Sequence, residues 1–70
     1  MQVKSGDRVR WRWGAGEGEG VVREVRRERM EREIDGSTIA RNGSDENPAC
    51  LIEQASGQRV LKLSSELRRA

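Results

Sequence analysis

The sequence predicts an all-β domain, a small barrel of five short strands, on three observations. First, Arg8 to Trp13 alternates strictly, with Val9, Trp11 and Trp13 on one side and Arg8, Arg10 and Arg12 on the other, the mark of a half-buried strand. Second, Asp35-Gly36 stands between two β-type runs and is a two-residue hairpin signal. Third, five such runs separated by turn formers fit into 70 residues, the spacing of a small barrel.

The first strand, Arg8 to Trp13, is bounded by Gly6-Asp7 before it and by Gly14, Gly16, Gly18 and Gly20 after it, so Gly14 to Glu19 reads as a loop. Gly20-Val21-Val22-Arg23-Glu24-Val25 opens the second strand, which runs on into the charged stretch Arg26 to Glu33. Two local signals compete there. Arg, Glu and Met favour helix, and Glu24, Arg27, Glu28 and Arg32 offer helical ion pairs. The apolar residues form no helical stripe, however, and Asp35-Gly36 joins this run to Ser37 through Arg41, so a hairpin over Gly20 to Arg41 is predicted.

Asn42 to Pro48 holds turn formers and no large apolar residue, which predicts an exposed loop. Ala49 to Gln54 and Arg59 to Leu63 are the fourth and fifth strands, and Ser64-Ser65-Glu66-Leu67 resembles a single capped helical turn. Val9, Trp11, Val22, Val25, Leu51, Ile52, Val60 and Leu61 are the predicted core. Residues 1–70 read as one domain without repeat or linker.

A chain this short can bury only a modest core, so stability is expected to be marginal or helped by homodimerisation, with Gly20 to Arg32 as a candidate self-pairing edge. Fourteen basic residues face 12 acidic ones, a net charge of +2, which excludes a general polyanion binder. The positive excess is N-terminal, because nine basic and six acidic residues precede Glu33, against five and six from there on. With one cysteine, Cys50, and no histidine, an internal disulfide and an ordinary Cys/His metal site are both excluded, and no cofactor is expected. A reducing cytoplasm is the expected setting. The start MQVKSGDRVRW lacks a signal peptide's apolar stretch, and no run approaches the roughly 20 apolar residues of a membrane span.

Gly6 through Trp13, Gly20-Val21-Val22, Ser44-Asp45-Glu46-Asn47-Pro48 leading into Leu51-Ile52, and Gly57 through Lys62 to Glu66-Leu67 together resemble the bacterial family of the hypervirulence-associated protein Tudor domain. The resemblance covers nearly the whole chain. It implies an SH3-like barrel of Tudor type, with no catalytic residue, cofactor or established ligand. Cys50 departs from the family pattern, which usually carries an aromatic residue, commonly Tyr, after the proline.

Catalysis is not expected. Without His or Tyr, Cys50 has no imidazole partner and reads as a small buried hydrophobe. Asp45 and Glu46 belong to a turn, and Gly14 to Gly20 lacks the Lys-Ser/Thr of a phosphate loop and carries two carboxylates. Trp11 and Trp13 are the only aromatic side chains, too few for an aromatic cage around a methylated cation. Trp13, at the strand end, is a candidate ligand contact. Arg8, Arg10 and Arg12, about 7 Å apart along one face, are the sharpest functional candidate. The leading expectation is a protein- or peptide-binding adaptor. The alternative is weak, sequence-nonspecific nucleic-acid binding through the arginine row. An unneutralised row favours nucleic acid, whereas cross-strand pairing with Glu17, Glu19, Glu24 or Glu28 favours the adaptor.

Overall fold

The structure is a computed structural model that describes residues 2–70, with Met1 outside the described part. Strand β1 (Arg8–Trp13) follows the alternation of its sequence, with Val9 and Trp11 buried and the three arginines exposed. It pairs antiparallel with β2 (Gly16–Arg26) through a reversal at Gly14-Ala15, where Gly14 adopts φ +52°. The expected loop over Gly14 to Glu19 is therefore a tight turn followed by strand. Two of the strand's glycines, Gly18 and Gly20, serve packing. Trp11 lies directly opposite Gly18, and a methyl on Gly18 would come within 2.5 Å of Trp11 Nε1 and closer still to Cε2 and Cζ2. Only a residue without Cβ lets the indole lie flat on the neighbouring strand.

Strand β2 next pairs with β5 (Ala49–Glu53), and a bulge between Val22 and Glu24 shifts the register. Opposed residues of an antiparallel pair point to the same side. Val22 therefore joins Ile52 on one face while Val25, three residues on, joins Cys50 on that same face. The bulge changes the inward parity from even to odd, a change that alternation alone does not announce.

The expected continuous strand from Gly20 to Glu33 is broken. It bends at Arg27-Glu28, and β3 (Arg29–Ile34) starts anew and pairs with β4 (Ser37–Asn42). Gly43 sits against this bend, where a methyl would meet the carbonyl oxygens of Arg26 and Glu28 and the amide of Ala49, each at 2.7 Å. Strand nonetheless prevails over helical propensity across Arg29 to Ile34. The turn at Asp35-Gly36 has φ +52° and +79°, as a type I′ hairpin requires.

Strand β6 (Arg59–Leu63) pairs with β5, a 3₁₀ turn spans Ser64–Glu66, and β7 (Leu67–Arg69) returns to pair with β1. The all-β prediction holds. The five-stranded barrel is corrected to seven strands in two antiparallel sheets, one ordered β6-β5-β2-β1-β7 and one made of β3 and β4, without a closed barrel.

The core lies on both sides of β5. Val9, Trp11, Val22, Cys50, Ile52 and Leu67 fill one side, and Met30, Ile34, Ala49, Leu51 and Leu61 fill the other, where the β3–β4 hairpin covers the sheet. Of the predicted core, Val25 and Val60 are only partly buried, while Met30, Ile34, Ala49 and Leu67, outside that prediction, are buried. Hydrogen bonds from Arg26 and Arg32 to Glu24 Oε2, 2.8 and 2.6 Å long, hold the Glu24 carboxyl below its ordinary pKa, and the second ties β3 to β2. Asn47 Oδ1 accepts from the Ser65 amide at 2.9 Å and the Ser64 hydroxyl at 3.3 Å, so the Ser44 to Pro48 segment clamps the 3₁₀ turn. No helix among the described residues is long and apolar enough to cross a membrane.

Candidate functional site

Alternation places Trp13 on the core side of β1, yet the strand outruns the core, and Trp13 is 63% exposed while Trp11 is 4%. Its cross-strand neighbour is Gly16, which has no side chain to cover the indole. Among the described residues Trp13 is the one large apolar side chain left in solvent. In a chain this poor in large apolar groups, that exposure withholds a substantial burial term from folding, of about 1.5 to 3 kcal/mol for a large side chain.

Trp13 stands at one wall of an open groove of about 530 Å³. Ile34, Ile39, Val60 and Leu61 supply apolar surface, and Arg41, Arg59 and Lys62 bring positive charge against the single carboxylate of Asp35. Three packed elements make this surface. The Gly14 turn carries Trp13 past the sheet, the type I′ turn swings β4 across β6, and the β4 and β6 side chains meet beneath. Gln58 Nε2 donates to Asp35 Oδ2 at 3.2 Å, and Arg59 donates to the Glu33 carbonyl at 3.2 Å, pinning the hairpin to β6. Of the groove residues only Trp13 was legible as a candidate, since the others come from separate strands whose meeting is tertiary.

Arg8, Arg10 and Arg12 project from the other face of β1, all exposed. Among the described residues none of the three lies within ion-pairing distance of a carboxylate. Glu19 is directly across from Arg10 and Glu17 from Arg12, but Glu17 is ion-paired with Arg68 of β7, which itself stands opposite Arg10. The face thus gains a fourth arginine that sequence reasoning missed, because three residues with one apolar side chain gave no strand signal. Glu24, one of the expected neutralising partners, is engaged by Arg26 and Arg32 instead.

Cys50 is fully buried between β2 and β6, as expected of a small hydrophobe, and burial pushes its thiol up to about 11. A protonated, enclosed thiol is a poor nucleophile. The two surfaces therefore offer recognition chemistry: one apolar and cationic, the other a cationic lattice crossed by two carboxylates.

Searches of curated proteins and of solved structures return no match to the chain. The family model described as the hypervirulence associated proteins TUDOR domain matches residues 6–67, a span that includes β1, the groove and the clamped Ser44 to Pro48 segment. On a match over nearly its whole length, the chain belongs to the hypervirulence associated protein TUDOR domain family.

Proposed function

We propose that this chain is a non-enzymatic binding module whose groove beside Trp13 receives a segment of a partner protein. The supporting observation is the exposure of Trp13 over an apolar floor, when every other large apolar side chain among the described residues is buried or partly buried. Exposed tryptophan at the rim of a concave surface is the kind of anchor on which interface energy concentrates. A cytoplasmic setting agrees with this reading, the only cysteine being a free thiol. Selection of a displayed random-peptide library tests it. Selected peptides should bind the wild type and lose at least tenfold in affinity on Trp13→Ala. Peptides that bind both proteins equally would refute it.

A second reading has its own observation. Arg8, Arg10 and Arg12 have no ion-paired carboxylate among the described residues, so weak phosphate-backbone binding insensitive to sequence is the function this face supports. Fluorescence anisotropy with mixed-sequence oligonucleotides at low salt separates the two readings, since Arg8, Arg10 and Arg12 changed together to Glu should abolish binding only if this face carries it.

A further inference from the structure

We infer that the segment received beside Trp13 is acidic, with a single aliphatic or aromatic side chain flanked by Asp or Glu; this rests on the groove being a peptide site. The charges of the groove carry the inference. Arg41, Arg59 and Lys62 face one carboxylate, Asp35, which is hydrogen-bonded to Gln58 and has no cation paired with it among the described residues. The Lys62 ammonium has no ion-pair or hydrogen-bond partner among them, and the residue is half-buried. Arg59 uses one N–H on the Glu33 carbonyl, which leaves most of its fork of donors free. Arg41 lies 3.7 Å from Glu66 Oε1, an oxygen already accepting from the Leu63 amide at 2.8 Å. Arg59 and Lys62 thus lack a paired carboxylate among the described residues, Arg41 shares its one with a backbone amide, and partial desolvation strengthens their attraction to an incoming carboxylate.

The layout of these groups favours a peptide over a nucleic-acid strand. The floor is aliphatic, and the groove has one exposed aromatic face, whereas successive bases need successive stacking platforms. Its cations sit on two different strands, Arg41 on β4 and Arg59 and Lys62 on β6, flanking the floor instead of forming a track along it. An extended chain with an apolar anchor at Trp13 and carboxylates to either side satisfies both features.

The test measures anisotropy of fluorescein-labelled short peptides with a central Leu or Phe, flanked by Asp and Glu in one pool, Ser and Gly in a second, and Lys and Arg in a third, with oligothymidylate as a further probe. The proteins are wild type, Trp13→Ala and Arg59→Glu/Lys62→Glu, each first shown to keep its circular dichroism and melting temperature. The inference predicts that the acidic pool binds best, that its affinity falls with salt, and that either variant weakens it about tenfold or more. Equal, Trp13-dependent binding of the neutral or basic pool would overturn the acidic assignment while leaving the peptide groove standing. Trp13-dependent binding of oligothymidylate as tight as that of the acidic pool would overturn it in favour of a nucleic acid. Failure of all peptide pools, or binding unaffected by Trp13→Ala, would bring down both the inference and the groove reading beneath it.

Discussion

Gly18→Ala places one methyl group against the Trp11 indole and measures how tightly the core holds that ring. Two carbons in ordinary contact stand about 3.5–4.0 Å apart. The new methyl would reach 2.5 Å from Nε1 and approach two ring carbons more closely, so something must move by more than about 1 Å. The indole has little room, being 4% exposed and packed with Val9, Val22 and Leu67. Overfilling such a site costs about 1–3 kcal/mol, offset by roughly 0.4–1 kcal/mol from the reduced freedom of the unfolded chain. A net loss of about 1–2 kcal/mol should lower Tm by roughly 5–15 °C in a domain of this size. Gly16→Ala, two residues earlier on the same strand, is the control: nothing lies within 4 Å of its would-be methyl, so stability should hold or rise slightly. Urea titration and thermal melts of both variants, with Trp11→Phe and Trp11→Phe/Gly18→Ala completing a double-mutant cycle, give the coupling. A neutral Gly18→Ala, or no coupling to position 11, would refute the packing of the indole on Gly18.

Trp11→Ala should destabilise by about 3–5 kcal/mol, enough to unfold much of the population, whereas Trp13→Ala should leave the melt nearly unchanged. Glu24→Gln should cost about 0.5–1 kcal/mol near neutral pH by loosening the tie between β2 and β3. Because the folded-state pKa of Glu24 lies below its ordinary 4.5, that difference should be full above 4.5 and vanish as pH falls through the lowered value, which paired urea titrations in acid would show. Cys50 should resist thiol reagents in the native protein at pH 8. Its pKa is raised from 9.0 to about 11 on folding, so the unfolded chain loses the proton first, and the stability advantage over Cys50→Ala should shrink as pH rises across that interval.

Where one face of the chain met solvent and the other the core, the strands were readable from sequence. Arg8 to Trp13 alternates because it is such a strand, and Asp35-Gly36 turned as its left-handed backbone demands. Gly18 reads as a loop residue because a glycine required for contact and a glycine required for flexibility look alike in one dimension. The bulge after Val22 and the bend at Arg27-Glu28 escaped notice since both answer to partners far along the chain, Ile52 and Gly43. Met30 and Ile34 looked isolated among charges, yet the hairpin folds them onto β5, so their burial belongs to topology and not to local pattern. The candidate site divides in the same way. Trp13 and the arginine row were visible as periodic positions on one strand, while Ile39, Arg41, Arg59, Lys62 and Arg68 acquire meaning only where β4, β6 and β7 meet their neighbours.

Backbone amide chemical shifts, followed while a library-selected acidic peptide is titrated into isotope-labelled protein, distinguish the two faces of the sheet most directly. The groove reading predicts that the changes centre on Trp13, including its indole N–H, and on Ile39 to Arg41 and Arg59 to Lys62, with Arg8, Arg10, Arg12 and Arg68 unmoved. Changes centred on those four arginines, with the Trp13 indole unmoved, would contradict it.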